Sequence, residues 1–154
     1  MSIAKTVLDC LERGRVAYDV VSHPRTICAR EAAVSVAVSP DRVAKAVVLR
    51  DERGYVMAVV PASRYVSLRT VSRKLKRNLR LASEDGFVPV FRDCERGAIP
   101  PLGPAYGMET VVDESLVGQP EVYFEAGDHE ELIRVNGEQF LALLRQARYG
   151  RFTH

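Results

Sequence analysis

Apolar positions along this chain change period several times, and each change marks an element. Ile3, Val7, Leu8 and Leu11 recur at helical spacing, which predicts a first helix capped by Ser2 and closed by Gly14 as its C′ residue. Val16–Val21 alternates as a short strand does, and His23-Pro24 breaks it. Ala29, Ala32, Ala33 and Val36 predict a second helix, stopped by Ser39-Pro40-Asp41. Ala44–Arg50 and Tyr55–Pro61 flank Asp51-Glu52-Arg53-Gly54, the pattern of a β-hairpin. Its first strand is almost continuously apolar, as a central strand buried on both faces would be.

Ser67–Asn78 predicts an amphipathic helix with Leu68, Val71, Leu75 and Leu79 inward. A short helix is expected near Ala82-Ser83-Glu84 and a strand at Val88–Phe91. Strands at Thr110–Asp113, Glu121–Glu125 and Glu131–Val135 follow. Asn136 with Gln139 three residues on is a capping-box pattern for a last helix anchored by Phe140, Leu141 and Leu144. Hairpins mixed with crossovers imply an α+β fold: one mixed sheet surrounded by helices, not a doubly wound parallel sheet. The domain is expected to span 1–148, with 149–154 a frayed tail.

At 154 residues and 47% hydrophobic content the chain can bury a single core without disulfide staples. Three widely spaced cysteines, Cys10, Cys28 and Cys94, suit reduced thiols better than a disulfide framework or a zinc site. With no signal-like segment and no membrane-length apolar run, the expectation is a cytoplasmic protein that engages no membrane. No metal or other cofactor is expected, and no groove-inserting motif suggests DNA.

Net charge is only +2, so distribution matters more than sum. Between Arg53 and Ser83 there is no acid, while Arg69, Arg73, Lys74, Lys76, Arg77 and Arg80 cluster there. Such a face could track RNA phosphates, or simply be solvated.

Three features carry candidate chemistry. Gly97-Ala98-Ile99-Pro100-Pro101-Leu102-Gly103 is too rich in glycine and proline for regular structure, and makes a rigid loop with N–H groups to offer. Ala126-Gly127-Asp128-His129 is a turn presenting a histidine. Lys45 interrupts the apolar run Val43–Leu49. Together they are the parts of an anion or ester site. No G-x-S-x-G elbow or triad order is present.

The order and spacing of His23-Pro24-x-Thr26, Val43-Ala44-Lys45, Gly97-x-x-x-Pro101, Val112-Asp113-Glu114-Ser115-Leu116 and Ala126-Gly127-Asp128-His129 resemble the YbaK/prolyl-tRNA-synthetase-associated domain family, from about Tyr18 to the last helix. The resemblance implies a partly barrel-like mixed domain that hydrolyses the ester of mischarged aminoacyl-tRNA. The misplaced amino acid would be small, such as alanine, cysteine, serine or threonine, and tRNA(Pro) is one candidate carrier. A chain too short for a synthetase would act in trans, with aminoacyl-tRNA and an aminoacyl-tRNA synthetase as candidate partners.

On that resemblance Lys45 would anchor a phosphate near the terminal adenosine. The loop Gly97, Ala98, Ile99, Pro100 and Pro101 would meet the ester carbonyl, and His129 would order the water or shape the amino-acid pocket. His23, Thr26, Ala46, Asp113, Gly127 and Asp128 would shape the substrate site. Several of these have plainer alternatives: Asp113 as the N-cap ahead of Leu116, His129 as a hairpin cap, His23 and Thr26 as satisfied core groups. Ala46 departs from the family, where Thr or Asn is frequent. The rival functions are a non-catalytic module binding aminoacyl-tRNA or a synthetase, and a regulatory domain for a small ligand.

Overall fold

The first helix does not start where its own sequence suggests. In the computed structural model, which describes residues 2–154, α1 runs Lys5–Arg13 with Ala4, not Ser2, as its N-cap residue. Two distant groups decide this: the Ala4 N–H donates to the Ala126 carbonyl (2.7 Å), and the Thr6 N–H donates to Asp93 Oδ2 (2.9 Å). Asp93 thus caps the helix from across the fold, a partner no local pattern contains. At the other end Gly14 keeps a right-handed φ of −79°, and Arg15 takes the positive φ instead.

β1 (Tyr18–Ser22), α2 (Ala29–Ser35), β2 (Val43–Asp51) and β3 (Gly54–Pro61) follow as the periodicity predicts. β2 and β3 pair antiparallel along their length, from Ala44↔Pro61 to Asp51↔Gly54. α3 covers only Leu68–Leu75, with Ser67 accepting from the Thr70 N–H at its start. It stops three residues before Asn78 because Lys76 turns left-handed (φ 55°). β4 (Arg80–Leu81) and α4 (Glu84–Phe87) come next.

Val88–Phe91 is a 3₁₀ turn rather than a strand. Pro89 has no N–H to give a ladder, and Phe87 and Phe91 meet edge to face at 6.0 Å instead. β5 (Glu109–Asp113), β6 (Glu121–Glu125), β7 (Glu131–Asn136), α5 (Gly137–Leu143) and β8 (Arg148–Gly150) complete the chain. Asn136 Oδ1 accepts from the Glu138 and Gln139 N–H groups, as the capping pattern foretold.

The eight strands form one mixed sheet in the order β1-β7-β6-β2-β3-β5-β8, with β4 beside β2. Side chains alternate between two buried faces. Met57, Val59, Val112, Val122 and Phe124 join α1 and α5 on one side. Val56, Ala58, Val60 and Val111 pack toward α3 on the other, where Val43 and Tyr123 meet α2.

The C-terminal residues correct the expectation of a frayed tail. β8 pairs parallel with β5, Phe152 is buried, and Thr153 bridges Val66. The Phe152 N–H donates to Asp113 Oδ1 (2.7 Å), and His154 stacks on Tyr65. A six-residue segment carries too little pattern to reveal a parallel partner 37 positions away. No helix among the described residues is long and apolar enough to cross a membrane.

Candidate functional site

A gap in the sheet makes the site. β3 accompanies β2 along its whole length on one side. On the other side β2 pairs with β6 only at Val43 and Ala44, and with β4 only at Leu49 and Arg50. Beside the unpaired stretch Lys45–Val47 opens a pocket of about 250 Å³. Ala46 and Phe87 form part of its apolar wall, Gly97 and Ile99 its loop side, and Lys45 and Glu125 its charged groups. A larger hollow of about 400 Å³ lies between α1 and α5, but none of the motif residues reaches it.

Lys45 is half-buried, with Nζ 5.4 Å from the centre of the Tyr65 ring. Burial lowers its pKa, and the charge of Arg30 nearby adds to that. Among the described residues no carboxylate pairs with it, and the nearby Arg30 adds positive charge, a setting suited to an anion.

The three loop motifs are bound to one another through backbone. The Gly127 N–H donates to the Ala98 carbonyl (3.1 Å), and the Glu95 N–H donates to the Gly127 carbonyl (2.8 Å). The Thr26 N–H donates to the His129 carbonyl (3.1 Å) and the His23 N–H to that of Glu130 (2.9 Å). Gly127 holds φ 116°, and a Cβ there would come within 2.9 Å of the Ala4 nitrogen. Gly97 has φ 84° and packs on the His129 ring.

In the loop, the Ala98 N–H is taken by the Glu95 carbonyl (3.1 Å). Among the described residues the N–H groups of Gly97 and Ile99 have no protein acceptor, and both residues line the pocket. Pro100 and Pro101 are buried and hold the loop without lining it.

His129 is buried, and its Nε2 lies 2.7 Å from the Arg96 carbonyl. A carbonyl only accepts, so Nε2 carries hydrogen. Nδ1 then faces Glu125 Oε1 at 3.5 Å. Glu125 is itself buried, and burial pushes its carboxyl up to about 7 against the opposing pull of His129. Glu125 is a pocket residue that motif reading missed, as are Glu84 and Phe87. The signal was there: an acid closing the apolar strand Val122-Tyr123-Phe124, directly before Ala126-Gly127.

Other sequence candidates stand elsewhere. Asp113 caps the 3₁₀ turn Glu114–Leu116 through the Ser115 N–H and holds the C-terminus through Phe152, so its position is structural. Asp128 accepts from the Glu130 and Glu131 N–H groups (3.1 and 2.9 Å) and shapes the turn that carries His129. His23 Nδ1 donates to its neighbour's carbonyl, Pro24 O, at 2.8 Å, and Thr26 is tied by backbone; neither lines the pocket.

Of the basic cluster, Arg69, Arg73, Lys74, Lys76 and Arg80 are exposed. Arg77 is not. It is buried in a forked pair with Asp51 (2.7 and 2.6 Å) and reaches Glu109 (3.0 Å), because the left-handed Lys76 swings it under the hairpin turn. Among the described residues no group of His, Cys, Asp and Glu converges as a metal site. Cys94 is no nucleophile, since burial pushes its thiol up to about 12.

Residues 23–143 match the aminoacyl-tRNA editing domain family, and they contain the pocket, the loop and the histidine turn just described. The chain belongs to that family. Its fold is the YbaK-like one. A protein provisionally assigned as a trans-editing enzyme for prolyl tRNA synthetase is 26% identical, superposes with a TM-score of 0.82, and is covered over 99% of both chains. A hypothetical protein of solved structure gives a TM-score of 0.85 at 19% identity, over 97% of this chain and 100% of that one. A scaffold protein used for computational grafting of linear epitopes gives 0.83 at 24% identity, over 97% and 96%. The last two likenesses speak to fold alone. No curated protein sequence matches the chain.

Proposed function

We propose that this editing domain hydrolyses, in trans, the ester linking a small, misplaced amino acid to tRNA. The observation that carries this reading is that Lys45 lines one small pocket together with Gly97 and Ile99, whose N–H groups have no protein acceptor among the described residues. Lys45, with Arg30 beside it, takes a phosphate of the tRNA 3′ end. The two N–H groups meet the ester carbonyl and stabilise the oxyanion that forms on attack by water. Ala46, Ile99 and Phe87 enclose the amino-acid side chain. At about 250 Å³ the pocket lies below the roughly 300–1,000 Å³ of ordinary ligand sites, which favours a small side chain.

Tyr65, 64% exposed beside Lys45, offers a ring on which the terminal base can stack. The exposed cations of α3 lie on the sheet face to which Lys45 belongs and extend the contact along the acceptor arm. An aminoacyl-tRNA synthetase, with prolyl-tRNA synthetase foremost given the trans-editing relative, is the candidate protein partner.

The test is deacylation of alanyl-, cysteinyl-, seryl- and threonyl-tRNA, each on its own tRNA and on tRNA(Pro), with Lys45→Ala as the control. Selective hydrolysis that disappears in the variant supports the reading and names the substrate. A folded wild type that hydrolyses none of them overturns it in favour of a non-catalytic binding module.

A further inference from the structure

The pocket is lined by a buried carboxylate with a bond unmade. Glu125 is 5% exposed, and its Oε1 has no hydrogen-bond partner. Neither has His129 Nδ1, 3.5 Å away. Asp113, a buried carboxylate that supports the fold, has a donor on each oxygen. Glu125 is instead left open on the pocket side and backed by an imidazole whose orientation the Arg96 carbonyl dictates.

The charged groups around it come from several elements. Lys45 faces the pocket from β2 without pairing with Glu125. Glu84, at the start of α4, is turned to Arg96. Asp128 is bound to its own turn, and Glu95 is paired with Arg25. Among the described residues only His129 lies within 4 Å of Glu125 as an ion-pair partner, at 3.5 Å.

We propose that Glu125, backed by His129, is the general base for the hydrolytic water. This rests on the editing reading above. Glu125 takes a proton from water as the water oxygen bonds to the ester carbonyl carbon, and the oxyanion forms at the loop N–H groups. The intermediate collapses as the carbon–oxygen bond to the ribose breaks. Glu125 returns the proton to the departing ribose oxygen, so the products are the free amino acid and the tRNA hydroxyl, and the carboxylate is regenerated. His129 is a positioning residue: it touches no substrate atom, and its Nδ1, 3.5 Å from Oε1, bears on how readily Glu125 holds the proton. The carboxyl's upward shift to about 7 suits a base that must be free near neutral pH yet hold a proton through one cycle.

A rival role for the same carboxylate is an ion pair with the substrate's α-ammonium group, and one experiment separates the two. kcat/KM is measured from about pH 5.5 to 9 for the wild type, Glu125→Gln and Glu125→Asp on the preferred aminoacyl-tRNA, and on the same tRNA bearing the 2-hydroxyacyl group. As a base, Glu125 gives a wild-type rate that rises with pH and levels off above neutrality. Glu125→Gln lowers it about 10²- to 10⁴-fold, equally on both substrates, and flattens the profile. Glu125→Asp keeps the pH dependence at a reduced rate, and His129→Gln moves the midpoint to higher pH, since His129 opposes the upward push of burial on the Glu125 carboxyl.

A Glu125→Gln protein that folds and stays within about threefold of the wild type overturns the proposal. So does a defect confined to the aminoacyl substrate, which would assign Glu125 to the ammonium group. Should Glu125→Gln fail to fold, a Glu125→Asp rate within about threefold of the wild type together with an unchanged midpoint in His129→Gln overturns it equally. If the wild type itself cleaves neither ester, the editing reading has failed and this inference falls with it.

Discussion

Lys45 and Glu125 occupy the same step of two parallel strands, one residue beyond the last paired positions, Ala44 and Phe124. Equal register in neighbouring parallel strands sends side chains to the same face. The strands part there, so the two groups line one pocket without forming an ion pair. A cation for phosphate and a carboxylate for a proton are thus kept side by side but free, because the gap between β6 and β4 separates them.

Lys45 is expected to act on substrate rather than on the fold. Lys45→Ala should lose deacylation by about 100-fold or more while its thermal midpoint moves by only a few degrees, since the lysine is half-buried and unpaired. Lys45→Arg should restore part of the rate. Single-turnover hydrolysis beside a melting curve is the check, and a variant of undiminished rate would remove the phosphate anchor.

The exposed cations of α3 should show in the salt dependence of tRNA binding. Neutralising Arg69, Arg73 and Lys76 together should lower the slope of log affinity against log salt by about 2, with little change in stability. An unchanged slope would leave those residues as a solvated surface.

Arg77 belongs to a different prediction. It forks onto Asp51, and that bond holds the Asp51 carboxyl well below the usual carboxylate range. Arg77→Met leaves a buried carboxylate unpaired and should lower the melting midpoint by roughly 10 °C at pH 7. A carboxyl with a depressed folded-state pKa contributes stability that is present above about pH 4 and lost as pH falls below it. The gap between wild type and Arg77→Met should therefore narrow in acid. Melting curves at pH 7 and pH 3.5 test this, and tRNA affinity should be nearly unaffected.

Glu125 has the opposite sign. Burial raises its carboxyl from 4.5 to about 7, so across that interval the folded state keeps a proton the unfolded state has released. Stability then falls as pH rises through the interval. Glu125→Gln should melt several degrees above the wild type at pH 8 and level with it at pH 4. Gained stability alongside lost hydrolysis is the pattern of a group retained for function. Equal midpoints at pH 8 would mean that Glu125 ionises in the fold without penalty.

Most of the fold was legible because it follows from local periodicity. The β2–β3 hairpin, α2, β6 and β7 lie where alternation and helical spacing put them, and Asn136 caps α5 as its spacing implied. α3 was over-extended because Leu79 continues the apolar phase beyond Lys76, and periodicity does not register a left-handed residue. Val88–Phe91 misled because an apolar run of four suits a strand or a turn equally well. Asp113 kept the alternative of an N-cap, and the structure takes that alternative.

By itself the sequence determined the element order, the apolar faces and the three motifs, since each depends on residues within a few positions of one another. Tertiary structure alone decided that the motifs converge around one pocket, which Lys45, Gly97 and Ile99 line. Backbone hydrogen bonds between residues about 30 apart join Gly127 to Ala98 and to Glu95, and the early end of β2–β6 pairing opens the space they border. It also decided the fates of two charged residues. Arg77 left the basic face because Asp51 lay within reach, and Glu125 became a pocket group because its strand outlasts its pairing with β2. Burial and long-range pairing are properties of the assembled sheet, and no stretch of the chain holds them locally.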